Sequence, residues 1–329
     1  MRYTLSIILC LACLRSMAQT EAHNTMFMFN KMYYNPAYAG NKDISSLTGW
    51  YRNQWTGIKG APKTFGVNAD FSLKSRNQDF RQFGIGLSVA SEEIGIEKKQ
   101  DIFGNYAFKF EMDDQRTVLA FGLRLGAQLY SANYDLLNPY QTGDPNLAYN
   151  VDNNILFNFG AGAFLHNDDY YIGLSIPNMV ENYYDKKEKA MHNKRAKQVR
   201  GYYLNAGYVF HGGEDFEILP QAMVRYTGNA TYSLPINADL NVTFIAYQRA
   251  LVGVTYRTDK SLNVVAGMQL SRNISLAYSY DYLISHLAGY DRGSHEIILG
   301  LDFGRNKADN NSYGFNNSRE RAAQYVRPF

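Results

Sequence analysis

From residue 44 to residue 304 the chain repeats one pattern: apolar and polar residues alternate in short runs, and each run breaks at Gly, Asn, Asp or Pro. In 273–282, Ile274, Leu276, Tyr278, Tyr280 and Tyr282 alternate with Asn273, Ser275, Ala277, Ser279 and Asp281. Successive side chains of a strand point to opposite faces, so each run has one oily face and one wet face. The pattern predicts fourteen strands, at 44–55, 62–73, 81–91, 100–111, 116–131, 153–166, 168–176, 200–211, 215–227, 231–243, 247–257, 261–271, 273–283 and 294–304. An even number of two-faced strands fits an all-β, transmembrane antiparallel β-barrel with lipid outside and a polar lumen inside.

The faces agree between strands. Phe65, Val67, Ala69, Phe71 and Leu73 oppose Thr64, Gly66, Asn68, Asp70 and Ser72. Leu119, Phe121, Leu123 and Leu125 oppose Gly122, Arg124, Gly126 and Gln128. Leu234, Ile236, Ala238, Leu240 and Val242 oppose Asn237, Asp239 and Asn241. An Arg facing mid-bilayer lipid costs about 2–4 kcal/mol, so Arg124 and Asp239 must point into the lumen. Loop lengths add an independent sign. The two longest connections, 132–152 and 177–199, both follow odd strands, whereas 112–115 and 212–214 follow even ones. Short periplasmic turns and long outer loops have this asymmetry.

Composition qualifies the pattern. The 329 residues are 46% hydrophobic, with a mean hydropathy of -0.36, and no run after residue 20 reaches the roughly 18 apolar residues of a spanning helix. That does not exclude a membrane barrel, whose strands hide half their residues from lipid. The 27 Tyr and 19 Phe suit membrane–water boundaries. A net charge of +3 gives no sign of a nucleic-acid binder. Residues 1–18 read as a signal peptide: Arg2, an apolar core from Thr4 to Leu14, and a small-residue cleavage site at Ser16-Met17-Ala18. Cys10 and Cys13, the two cysteines of the chain, lie in it, so a mature chain starting at Gln19 has no thiol chemistry. A second reading makes Cys13 the acylated residue of a lipoprotein, although Cys10 stands where such signals usually carry Leu. Residues 19–43 form a short N-terminal periplasmic segment, with 21–43 and inward side chains filling part of the lumen. Residues 44–304 are the barrel, and 305–329 are a polar, aperiodic, disordered periplasmic tail. The loop at 177–199 is rich in Lys and reads first as a solvated loop and second as a contact for lipopolysaccharide or a surface partner.

Catalytic chemistry has little support. The six His form no H-E-x-x-H pair, and neither a nucleophile elbow nor a phosphate loop occurs. Ser294-His295-Glu296 has the residue types of a hydrolase, but neighbours on a strand point to opposite faces. Gly84-Ile85-Gly86 and Gly160-Ala161-Gly162 read as relief of crowding in strands rather than as nucleotide loops.

Several motifs stand apart in order along the chain. They are Asn35-Pro36-Ala37-Tyr38-Ala39-Gly40, then Arg52, Gln54 and Trp55, then Gly60-Ala61-Pro62 with Thr64. Gly173-Leu174-Ser175-Ile176-Pro177-Asn178 follows mid-chain, then Tyr278-Ser279-Tyr280-Asp281 and Gly293-Ser294-His295-Glu296-Ile297. On these residues the chain resembles the PorP/SprF family of outer-membrane proteins, linked to type IX secretion and gliding in Bacteroidota. The resemblance implies a barrel and no enzymatic activity, and the residues themselves give no sign of a cofactor or metal. It implies work with periplasmic ring lipoproteins, or retention of a secreted adhesin at the cell surface. It makes Asn35, Pro36, Tyr38, Gly40, Arg52, Gln54, Trp55, Asp281, Ser294, His295 and Glu296 candidates for structure or partner binding. Two rival readings share the fold: a passive channel for small solutes, and an outer-membrane hydrolase using His295 or His286.

Overall fold

A computed structural model describes residues 24–42, 45–74, 81–112, 117–137, 150–184, 198–213, 215–228, 233–247, 249–271, 273–284 and 291–303, with backbone alone at Lys74, Arg81 and Gln82. The expected signal peptide, the tail after 304 and most of the Lys-rich loop lie outside these residues.

Fourteen antiparallel strands, each paired to its neighbours in sequence, close into a barrel. They are β1 Ser45–Asn53, β2 Lys63–Lys74, β3 Arg81–Ile94, β4 Glu97–Glu111, β5 Val118–Ala132, β6 Val151–His166, β7 Tyr170–Ile176 and β8 Gly201–Tyr208, continued by Phe210–His211. Then come β9 Phe216–Thr227, β10 Asn237–Ala246, β11 Ala250–Arg257, β12 Ser261–Ser271, β13 Ile274–Leu283 and β14 Ser294–Phe303. The seam joins the first and last strands, with Trp50 opposite Ile298 and Arg52 opposite Glu296. Closure leaves no strand edge among the fourteen to pair with another chain.

The two faces fall as the alternation requires. Leu123, Leu125, Phe157 and Leu240 are exposed on the outer wall, while Arg124, Asp239 and Asn241 are buried inside. Aromatic residues gather at both ends of the outer wall. Tyr51, Tyr202, Tyr226, Tyr256 and Tyr282 ring the end carrying the long loops, called here the loop end. Phe71, Phe110, Phe210, Phe216, Phe244 and Phe303 ring the opposite, turn end. Paired aromatic girdles around an apolar band mark the two interfaces of a bilayer. Leu123→Arg, in the middle of that band, is expected to cost about 2–4 kcal/mol, read by urea unfolding in liposomes. A cost near zero would place β5 outside the lipid.

Three strand predictions need correction. The expected break at 92–99 is strand on both sides, with Glu93 opposite Lys98 and Ile94 opposite Glu97 across a turn in which Gly95 takes φ +60°. The strand expected at 231–243 runs from Asn237 to Ala246, and the turn expected before residue 247 falls after Ala246. Pro235, which has no N–H for a ladder, stands just before the strand. The run at 200–211 keeps one register on β9, but its pairing lapses opposite Pro220 for the same reason.

Candidate functional site: the occupied lumen

The segment 24–42 lies inside the barrel, and nearly all of its residues are buried. It crosses the lumen from one end to the other. Thr25 bonds to groups near the loop ends of β1, β11, β13 and β14, whereas Lys42 pairs with Asp302 at the turn end of β14 (3.2 Å). Short helical turns at Phe27–Phe29, Lys31–Tyr34 and Pro36–Tyr38 fold the chain compactly between these points. Met26, Phe27, Met32 and Tyr34 of the segment join wall residues such as Met223, Ile245 and Val265 in one buried apolar cluster.

Asn35 organises the middle of the segment. Its Oδ1 caps the third turn by accepting from the Ala37 N–H (3.0 Å), and its Nδ2 donates to the Ala163 carbonyl of β6 (3.0 Å). Pro36 begins that turn, where its fixed φ and missing N–H carry no penalty. Tyr38 packs edge-on against Phe164, with ring centroids 5.4 Å apart. Gly40 takes φ +63°, its N–H donates to Asp70 and its carbonyl accepts from Lys109. Arg124 donates to the carbonyls of Met32 (3.3 Å) and Tyr33 (2.7 Å). The Lys31 ammonium lies 3.6 Å from the Tyr171 ring centroid.

Where the segment's backbone lies closest, the wall carries no side chain. A Cβ at Gly84 would stand 1.9 Å from the Ala39 carbonyl oxygen, and one at Gly122 would stand 2.1 Å from the Ala37 nitrogen. The neighbour is backbone in both cases, which cannot swing aside. The glycines do relieve crowding, and in this case the crowding comes from a chain lying across the strands.

At the loop end the segment meets a buried ionic cluster. Arg52 donates to Asp281 (2.6 Å), Glu296 (2.9 Å) and the Thr25 hydroxyl (2.7 Å). Thr25 in turn donates its N–H to Glu296 (2.8 Å) and its hydroxyl to Asp281 (2.7 Å), and accepts from Arg257 (3.1 Å). Arg257 and Arg225 both pair with Asp239, which is fully buried. Arg52, Asp281 and Glu296 are each about 1–3% exposed. The low-dielectric interior makes such pairs strong and each unpaired member expensive.

The structure thus joins Arg52, Asp281 and Glu296, and sets Asn35, Pro36, Tyr38 and Gly40 together against the opposite wall. Gln54 is buried at the end of β1. Trp55 is half-buried, and its N–H donates to the Ser294 hydroxyl (3.0 Å). His295 faces outward and bonds to the Tyr278 hydroxyl (2.7 Å), so Ser294, His295 and Glu296 form no relay. His286 lies outside the described residues. Among the described residues, no group of three or more His, Cys, Asp or Glu is placed to hold a metal. Thr25, Arg225 and Arg257 belong to the cluster, and nothing in the sequence singled them out.

Comparison with known proteins gives one strong result. No curated protein matches the chain closely enough to count as a relative. Among solved structures, a triple mutant of the Rhodopseudomonas blastica porin is 11% identical, with 79% of this chain and 100% of that one covered and a TM-score of 0.36. A second variant of the same porin is 10% identical, with 79% and 99% covered and a TM-score of 0.34. The family model described as "Type IX secretion system membrane protein PorP/SprF" matches residues 16–301, nearly the whole chain. The chain therefore belongs to the PorP/SprF family of type IX secretion system membrane proteins, as a non-enzymatic β-barrel of the outer membrane.

Proposed function

We propose that this barrel is a closed scaffold, and that it serves type IX secretion by anchoring periplasmic ring lipoproteins or by holding a secreted adhesin at the surface. One observation carries the reading: the lumen is occupied along its length by residues 24–42, fixed at one end by a buried ionic cluster and at the other by Lys42 and Asp302. A conduit for solutes has no use for such a filling, so the passive-channel reading is the weaker one. Outer-membrane barrels keep short turns in the periplasm and long loops outside. On that rule the turn end faces the lipoproteins and the loop end faces the surface. Asn35, Pro36, Tyr38, Gly40, Arg52, Asp281 and Glu296 then act by holding the segment in place. Trp55 and His295, half-buried at the loop end, are the motif residues open to a partner.

Tagged full-length protein, purified from detergent-solubilised outer membrane, is expected to bring down secretion-system lipoproteins identified by mass spectrometry. Recovery of no lipoprotein and no secreted adhesin, together with porin-like conductance in planar bilayers, would overturn the scaffold reading in favour of the channel.

A further inference from the structure

A cavity opens at the loop end between the lumenal segment, the inner faces of β2–β5 and the connection after β7. It is lined in part by Tyr34, Tyr184, Tyr203, Glu92, Gln128 and Asn178. Two buried acceptors on this wall lack a donor. Gln128 gives its Nε2 to Asp101 (2.7 Å), which leaves its Oε1 buried without a partner. The Oδ1 of Asn178 is in the same condition. Glu92, only 7% exposed, lines the same cavity with Lys99 as its charged neighbour. A buried acceptor left unmatched costs about 1–3 kcal/mol, so two such acceptors beside a buried carboxylate suit a ligand rich in donors.

We propose that this pocket binds a primary ammonium or guanidinium group on a short apolar stem, such as a Lys or Arg side chain of a partner protein docking at the loop end. An ammonium brings three donors and a guanidinium five, with no acceptor to clash with the wall. Tyrosine rings attract cations through their faces, and four of them line the cavity. The two cations already in the lining are placed to permit this. Arg124 is engaged with Asn105 (3.0 Å) and the Tyr33 carbonyl (2.7 Å). Lys99 sits with its ammonium 5.6 Å from the Tyr184 ring centroid, at the side of the pocket, where it competes with an incoming cation for Glu92. The assignment to a protein side chain rests on the scaffold reading, whereas the chemistry of the pocket does not.

The test titrates full-length protein in detergent micelles with N-acetyl-lysine amide, N-acetyl-arginine amide, uncharged N-acetyl-norleucine amide and cadaverine, followed by ligand-observed NMR. A capped cationic amide is expected to bind saturably, and the norleucine amide not at all. Glu92→Gln is expected to weaken binding about tenfold, the equivalent of roughly 1.4 kcal/mol, while Lys99→Gln strengthens it about threefold. If Glu92→Gln fails to fold, Gln128→Met supplies the second variant, with a several-fold loss expected. Absence of saturable binding, equal binding of norleucine amide, or a shift of both charge variants in the same direction overturns the pocket. Cadaverine binding more tightly than both amides overturns the side-chain source in favour of a free polyamine. Failure here with lipoproteins still co-purifying leaves the scaffold reading standing. Binding here with no co-purifying partner sinks that reading and keeps the pocket.

Discussion

A variant lacking residues 24–39 is expected to turn a closed barrel into an ion-conducting pore. The reason lies in the wall that the segment covers. On β3–β7 the inner face directly beneath its backbone includes Gly84, Gly86, Gly122, Gly162 and Gly173, with Ala90, Ala107 and Ala120 on the same face. None of these can take up the space the segment leaves, and the longer side chains around them, such as Arg124, Phe164 and Tyr171, lose their partners with it. Barrels of about 8 strands are filled by their own side chains and those of about 16–18 hold an aqueous channel, so a fourteen-stranded barrel without its filling falls on the open side. Planar-bilayer recordings should show unitary conductance at least about tenfold above that of the intact protein, approaching the open porins. Gly122→Leu reaches the same end by another route, because its side chain would occupy the space of the Pro36–Ala37 backbone. Heat-modifiable mobility on SDS gels checks that each variant still forms the barrel. A deletion variant that folds and conducts no better than the intact chain would mean that the wall closes the lumen unaided.

The strands were legible because a membrane wall enforces period two: one face meets lipid, the other meets polar groups, and a slip of one residue reverses both. Errors arose where that force ends. At 92–99 the strands rise past the apolar band, so Glu92, Glu93, Lys98 and Lys99 read as a loop although they pair across a hairpin. Pro220 and Pro235 interrupt hydrogen bonding without changing the alternation of side chains, which leaves no trace in hydropathy. The site was legible piecemeal. Arg52, Asp281 and Glu296 each belong to a recognisable motif, but their meeting depends on barrel closure, which sets the first strand beside the last. Thr25 carries no signal at all, because a threonine in a polar N-terminal stretch becomes a hub only when four groups converge on it. The glycine runs were assigned the right physical role, but the chain they accommodate was visible only in three dimensions.

Removing the Arg52 guanidinium is expected to be the most damaging single change in the cluster. Arg52→Met leaves Asp281 and Glu296 buried side by side at the seam without their main counter-charge, and breaking a buried pair this way costs about 3–5 kcal/mol. The triple variant Arg52→Met with Asp281→Asn and Glu296→Gln should recover most of that loss, because the penalty lies in the uncompensated charges and not in the missing contact. Guanidinium unfolding of the detergent-solubilised protein measures both. The two tryptophans give the signal, and Trp50 is well placed for it, buried beside Arg52 with its ring 5.5 Å from Tyr33 of the lumenal segment. Fluorescence should therefore also show an early transition in Arg52→Met alone, as the Thr25 end of the segment comes loose before the strands part. If the single and triple variants are equally unstable, the cluster acts through shape and not charge. If neither loses stability, the seam is held by its backbone ladder, and the segment by its bed of glycines and small residues on the far wall.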